Sequence, residues 1–213
     1  MKLDYDINDM ISIIKNDIPL IDLRAPIEFN RGAFPSSINI PILNDEQRAT
    51  VGIKYKKQGS QSAERLGFDL VKSQKDEIVY LWKNFIKENP ATCIYCMRGG
   101  KRSQIAKLWL HHEGVNIPTI KGGYKALRKT SIEILNSVSE DQKSWIILAG
   151  RTGTGKTAIL KDLNSAIDLE KHALHRGSAF GGLTEEQPTA INFENNLASE
   201  YIKHNNKIIF LED

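Results

Sequence analysis

Short apolar runs and amphipathic stretches alternate along the first half of the chain. Pro19-Leu20-Ile21-Asp22-Leu23-Arg24 is an apolar run entered by proline, and Ile38-Asn39-Ile40-Pro41 is one that proline closes. Both predict strands. A polar stretch from Asn44 to Gly59, holding Lys54, Lys56 and Lys57, separates them from the next pattern. Between Asp69 and Lys87, Leu70, Val71, Ile78, Leu81, Trp82, Phe85 and Ile86 suit a 3.6-residue period, which predicts a helix stopped by Asn89-Pro90. Thr92 to Cys96 reads as a buried strand, Ser103 to His111 as a helix and Thr119-Ile120 as a further strand. Such alternation favours a parallel sheet covered on both faces.

A polar segment, Asn136 to Asp141, suits a linker. Beyond it, Trp145 to Ala149 predicts a strand, Gly150 to Thr157 a glycine loop, and Lys156 to Leu163 the start of a helix. Lys207-Ile208-Ile209-Phe210-Leu211 reads as a last strand, with Glu212 and Asp213 at its end. The expected organisation is α/β, with a first domain over 1–136, a linker over 137–143 and a second α/β domain over 144–213. About 75 residues after Val138 are roughly half of an ordinary domain, so the second unit is expected to be incomplete.

Composition narrows the class. With 40% hydrophobic and 26% charged residues, the chain has the balance of a globular protein rather than a disordered or collagen-like one. The net charge of +3 is unevenly placed: residues 1–138 hold 21 Lys and Arg against 15 Asp and Glu, and the remainder 8 against 11. A polyanion is therefore expected to meet the first half. Its basic groups are Lys54, Lys56 and Lys57; Arg98, Lys101 and Arg102; and Lys121, Lys125, Arg128 and Lys129. Each is open to a second reading as solvated surface charge. Two cysteines do not make a secreted disulfide scaffold, no leader follows Met1, and no apolar run approaches the roughly 20 residues that span a bilayer. A cytoplasmic protein with no membrane partner is expected.

Two segments carry candidate chemistry. In Cys96-Met97-Arg98-Gly99-Gly100-Lys101-Arg102-Ser103, between a strand and a helix, paired glycines let backbone N–H groups turn inward and three cations add positive potential. Such surroundings favour a thiolate or persulfide at Cys96. A buried structural cysteine beside a basic turn is the alternative. Cys93 precedes Cys96 by three positions, the opposite face of a strand, and reads as a small core residue, with a resolving thiol of a redox pair as the alternative. No second cysteine pair completes a zinc site, and no metal-ligand set is expected.

In the second half, Gly150-Arg151-Thr152-Gly153-Thr154-Gly155-Lys156-Thr157 fits G-x-x-x-x-G-K-[ST] between an apolar strand and a helix. Its backbone would wrap a diphosphate, Lys156 would neutralise the oxygens and Thr157 would hold Mg²⁺ if a metal is used. Glu212 and Asp213 stand where a Walker-B acid would, or are solvated strand-end acids. His175-Arg176-Gly177-Ser178, continuing into Ala179-Phe180-Gly181-Gly182, is either a surface loop or a second anion or substrate loop.

The cysteine loop, with Asp22-Leu23-Arg24, Glu28-Phe29, Gly32-Ala33-Phe34 and Asn39-Ile40-Pro41, resembles a rhodanese domain, and Gly122-Gly123-Tyr124 resembles the turn that closes one beside its active site. Ala33 and Phe34 depart from the usual His-Ile. A rhodanese-type loop, then a P-loop, then His175-Arg176-Gly177-Ser178-x-Phe180-Gly181 is similar to the tRNA 2-selenouridine synthase family. The segment Asn44 to Gly52, with Tyr55-Lys56 and Gly59, resembles that family's insertion. The resemblance implies a rhodanese-like domain with a central parallel sheet and a P-loop NTPase-like domain. It implies a transferase that replaces the sulfur of wobble 2-thiouridine in tRNA with selenium from selenophosphate, through an S-geranyl intermediate made from geranyl diphosphate. Cys96 becomes the sulfur or selenium carrier, and Asp22, Arg24 and Glu28 scaffold residues. No tightly bound cofactor is implied. Family members continue well beyond Asp213, which predicts a fragment. The rival reading is a nucleotide-gated sulfurtransferase or regulatory binding module without tRNA chemistry.

Overall fold

The computed structural model describes residues 6–7, 9–151, 153–176, 181–182 and 184–212. The chain divides into two units, one of residues 1–10 and 18–127 and one of residues 11–17 and 128–213. Both are mixed α/β, and every paired strand named below is parallel.

In the first unit the strands are β1 (Asp6–Ile7), β2 (Leu20–Asp22), β3 (Ser37–Asn39), β4 (Cys93–Tyr95) and β5 (Thr119–Ile120), in the order β1-β5-β4-β2-β3. Both Leu20–Asp22 and Cys93–Tyr95 are buried throughout, the pattern of inner strands covered on both faces. The helices along this part of the chain, not all of them wholly within the first unit, are α1 (Met10–Lys15), α2 (Pro26–Asn30), α3 (Asp45–Val71), α4 (Lys75–Glu88), α5 (Lys101–His112) and α6 (Gly123–Asn136). The division between the units runs through α1 and α6. Trp82 on α4 anchors the core. It is fully buried, stacks on Trp109 at 6.1 Å and donates its indole N–H to the Ile40 carbonyl at 3.0 Å, so its one polar atom is satisfied.

The polar stretch from Asn44 to Gly59 is helical rather than a connecting segment. Asn44 takes an extended backbone and its side chain accepts from the Gln47 N–H, while the Gln47 side chain accepts from the Asn44 N–H. This reciprocal cap satisfies two donors at the start of α3. Gly59, at φ 77° and ψ −177°, then breaks α3 into two arms. The helix expected over Asp69 to Lys87 is two helices, because α3 runs to Val71 and α4 begins only at Lys75; Val71 and Ile78 nonetheless share one core cluster.

In the second unit β6 (Ser144–Leu148) and β7 (Ile208–Glu212) pair from Ser144 opposite Ile208 to Leu148 opposite Glu212. The helices are α7 (Lys156–Lys161), α8 (Leu169–Ala173) and α9 (Ala190–Tyr201). Trp145 stacks on Tyr201 at 5.9 Å, and the Tyr201 hydroxyl donates to Asp141 at 2.6 Å. The expected linker holds a short 3-10 turn, Ser137–Ser139.

Candidate functional site

Cys96 follows directly on β4, where a parallel sheet presents its loops, and α5 starts five residues later. The loop between them is clamped by the turn ahead of α6. Tyr124 donates its N–H to the Cys96 carbonyl at 2.9 Å, and Lys125 donates to the Met97 carbonyl at 3.1 Å. Gly123 has φ 58°, and a Cβ there would fall 2.1 Å from the Cys96 carbonyl oxygen and 2.6 Å from the Gly99 nitrogen. Only a glycine lets the two backbones approach this closely.

Side chains brace the same loop. Glu28 on α2, 6% exposed, accepts from Arg102 at 2.6 Å, with Arg48 at 3.7 Å. Burial would raise the Glu28 carboxyl, but the Arg102 hydrogen bond and charge carry it below the ordinary carboxylate value. Asp22 and Arg24 form a buried pair at 2.6 Å; Arg24 also donates to the Gly32 carbonyl and lies 3.7 Å over the Tyr124 ring. Asn39 donates to the carbonyls of Asp22 and Arg24. Asp22, Arg24 and Glu28 are thus engaged in holding backbone and loop in place.

Cys96 is 3% exposed and Cys93 1%. Burial pushes the Cys93 thiol up to about 11 and leaves it protonated at neutral pH. The Ser103 hydroxyl, in the first turn of α5, is buried and makes no hydrogen bond among the described residues. Lys101 pairs with Glu64 at 3.1 Å, while Arg98 is exposed without an ion-pair partner among the described residues. Gly99 and Gly100 complete the loop, Gly99 with φ 66°.

In the second unit the glycine loop joins β6 to α7. Lys156 reaches back to the Gly150 carbonyl at 2.5 Å, and Thr154 donates to the Arg151 carbonyl at 2.8 Å. Gly153 and Gly155 flank Thr154, and Thr152 lies outside the described residues. The Thr157 hydroxyl donates to Glu212 at 3.1 Å. Parallel pairing of β6 and β7 brings the acid beside the loop, and burial raises the Glu212 carboxyl, with Glu170 and Asp168 adding to the shift. Asp213 lies outside the described residues.

His175 bridges to Gly182, and the Arg176 N–H donates to the Gly181 carbonyl at 2.8 Å. Both line a cleft of about 490 Å³ that Thr157, Asp168 and Glu170 also line. Gly177, Ser178, Ala179 and Phe180 lie outside the described residues.

The basic residues around α6 separate. Lys121, Lys125 and Lys129 are exposed, Lys129 with Glu133 at 3.5 Å. Arg128 is half-buried, pairs with Glu194 and donates to Asn195 at 2.9 Å on α9. Its charge is spent on packing. Among the described residues no helix is long and apolar enough to cross a membrane, and no cluster of three His, Cys, Asp or Glu could hold a metal. The sequence marks Val51 and Tyr55 only as part of the insertion, and Gly67 and Phe68 not at all, yet all four line the cavity beside the Cys96 loop; two aromatic side chains amid the charged residues of α3, Tyr55 and Phe68, were the available signal.

Residues 6–130 match the rhodanese-like domain, and residues 143–213 match the tRNA 2-selenouridine synthase AAA domain. The chain belongs to the tRNA 2-selenouridine synthase family. The tRNA 2-selenouridine synthase of Nitrosomonas europaea is 45% identical over 204 residues, covering 94% of this chain and 53% of that one. Those of Sulfurovum sp. and Shewanella denitrificans are 49% and 48% identical, covering 92% and 94% of this chain and 54% of each relative. The chain therefore spans about half the length of the curated relatives it matches. Among solved structures, the N-terminal domain of a candidate ATP/GTP-binding protein from Clostridium difficile 630 superposes with a TM-score of 0.51 at 32% identity, over 54% of this chain and 88% of that one.

Proposed function

We propose that the chain carries two reaction sites of an enzyme that converts wobble 2-thiouridine of tRNA to 2-selenouridine. The observation that carries this reading is the presence, in one chain, of a clamped Cys96 loop within the segment matched to the rhodanese-like domain and a complete Gly150–Thr157 phosphate-loop motif within the segment matched to the tRNA 2-selenouridine synthase AAA domain. In the first step the thiocarbonyl sulfur bonds to the terminal carbon of geranyl diphosphate and diphosphate leaves. The glycine loop and Lys156 hold the diphosphate and offset its charge. Thr157 and Glu212, with oxygen atoms 3.1 Å apart, offer the hard donors that suit Mg²⁺, which would supply further charge neutralisation there. His175 and Arg176, which line the same cleft as Thr157, add donors for an anion.

In the second step the selenium of selenophosphate bonds to C2 of the base, the C2–S bond breaks and geranyl thiolate departs, and water then cleaves the P–Se bond to release phosphate and leave 2-selenouridine. Alkylation makes that sulfur the better leaving group. Selenophosphate supplies the selenium, and the Cys96 loop, with Arg98 as an unpaired cation among the described residues, is the site that receives it. Exposed Lys121, Lys125 and Lys129 are the surface residues for tRNA phosphates.

Mass spectrometry of tRNA nucleosides from a strain lacking its own synthase and supplied with the gene for this protein tests the reading. 2-Selenouridine in place of 2-thiouridine supports it; unmodified 2-thiouridine with selenophosphate present counts against it.

A further inference from the structure

Alkylating the sulfur of 2-thiouridine moves a proton as well as a carbon. The base carries a hydrogen at N3, and once its sulfur holds a second carbon the adduct is a cation. It becomes neutral only when the N3–H bond breaks and the electron pair closes a double bond between N3 and C2. The step therefore needs a proton acceptor within about 2.6–3.2 Å of N3, or one water away. The glycine loop offers N–H donors, hydroxyls and the cations Arg151 and Lys156, but no base.

The cleft of about 490 Å³ beside that loop does hold bases. Leu160, Leu163 and Ala166 give it an apolar wall, and Thr157, His175 and the cations Lys161, Lys171 and Arg176 also line it. Its carboxylates are Asp168, Glu170 and Glu200. Two of these have other work. Asp168 caps α8, accepting from the Lys171 N–H at 2.8 Å, and Glu170 with Asp168 bears on Glu212, at the end of the cleft where Thr157 lies. Glu200, in the last turn of α9, is set differently. Its Oε2 is bonded to Nε2 of His172 on α8, while its Oε1 makes no hydrogen bond among the described residues and lies 4.0 Å from Nε2 of His204. That His204 nitrogen is buried and also makes no hydrogen bond among the described residues. The other charges bearing on this group are Lys171, on Glu200, and Lys143, on His204. Burial would raise the Glu200 carboxyl, but the His172 hydrogen bond and charge carry it below the ordinary carboxylate value, so it is ionised at neutral pH.

We propose that Glu200, held in place by His172, is the base that accepts the N3 proton of 2-thiouridine as its sulfur is alkylated. This rests on the reading given under Proposed function and deepens it. The sulfur–carbon bond forms, the carbon–oxygen bond to diphosphate breaks, and the proton passes from N3 to Glu200 Oε1 and on to solvent. A weakly basic carboxylate is enough, because the alkylated cation is a strong acid. His172 is a positioning residue that aims the carboxylate.

Single-turnover geranylation of an anticodon stem-loop oligonucleotide carrying 2-thiouridine, by the full chain between pH 6 and pH 8, tests this. The wild-type rate should be level, since Glu200 is ionised throughout. Glu200→Gln keeps an acceptor for His172 but cannot take a proton. It should bind geranyl diphosphate at least as tightly as the wild type and react about a hundredfold or more slowly at pH 7. Its rate should then climb about tenfold per pH unit, because only bases that have already lost the N3 proton react. Glu200→Asp, which keeps a carboxylate, should keep the level profile at a lower rate. If the pair only ties α8 to α9, Glu200→Gln would run parallel to the wild type at every pH, and that result overturns the assignment. A sloping profile in His175→Gln with a level one in Glu200→Gln overturns it too, making His175 the base. Wild-type protein that forms no S-geranyl product at any pH would refute the reading of the cleft as the alkylation site, and the assignment with it, so the two failures are distinguishable.

Discussion

Replacing Gly123 with alanine attacks the clamp on the Cys96 loop at its narrowest point. The added Cβ would lie 2.1 Å from the Cys96 carbonyl oxygen, 2.6 Å from the Gly99 nitrogen and 3.0 Å from the Arg98 nitrogen, all backbone atoms. Holding a non-glycine residue at this left-handed φ costs about 1–2 kcal/mol. Relieving the overlap separates the strands of the turn and loses the bonds from Tyr124 and Lys125 to the carbonyls of Cys96 and Met97, at about 1 kcal/mol each. The sum is about 3–4 kcal/mol, a large part of the roughly 5–15 kcal/mol that stabilises a domain. Gly114→Ala is the control: its φ is 77° but nothing lies within 4 Å of the added carbon, so it should cost only the conformational share. The assay is urea unfolding followed by tryptophan fluorescence in a Trp145→Phe background, so that Trp82 and Trp109 report the first unit. With a slope of about 2 kcal/mol/M, Gly123→Ala should lower the midpoint by roughly 1.5–2 M and Gly114→Ala by less than about 1 M. Equal midpoints for the two variants would refute the argument that close backbone approach, rather than φ alone, requires glycine at 123.

Glu28→Gln should destabilise the first unit by about 1.5–3 kcal/mol at pH 7 through loss of the charged bond to Arg102. Because the folded carboxyl lies below its ordinary value of 4.5, the wild-type advantage is present above that value and is lost as pH falls through the lowered one; the gap at pH 7 should be narrower in unfolding at pH 3. Iodoacetamide at pH 8, mapped by peptide mass spectrometry, should leave Cys93 unlabelled in the folded protein, since its thiol is pushed up to about 11, and equal labelling of Cys93 in folded and unfolded protein would contradict its protection. Neutralising Lys125 and Lys129 together should flatten the salt dependence of tRNA binding by about 1.4–1.8 in log K against log salt, whereas Arg128→Ala should chiefly lower stability, its charge being spent on Glu194.

The strands and loops that carry the chemistry were readable because each rests on local pattern. Pro19 and Pro41 bracket apolar runs, Asn89-Pro90 ends α4, and the glycines of both phosphate-type loops sit between a strand and a helix. α3 was not readable in the same way. Its three glycines, Gly52, Gly59 and Gly67, weaken the helical signal, and Ala63 and Val71 are its buried residues, both in the second arm, so no strong stripe marks the sequence. The Asn44–Gln47 cap was the local clue to its start. What depended on distant partners was also hidden. Arg128 looks like any surface cation until Glu194, 66 residues away, is seen beside it, and Glu212 gains its meaning from Thr157 across the parallel pair.

The central claim is that alkylation and selenium transfer occur at separate sites, the second at Cys96. It is tested most directly by nucleoside mass spectrometry of tRNA from a synthase-deficient strain expressing Cys96→Ser or Cys93→Ser. The account predicts that Cys96→Ser accumulates S-geranyl-2-thiouridine and makes no 2-selenouridine, while Cys93→Ser makes both as the wild type does. Normal 2-selenouridine in the Cys96→Ser strain would contradict it.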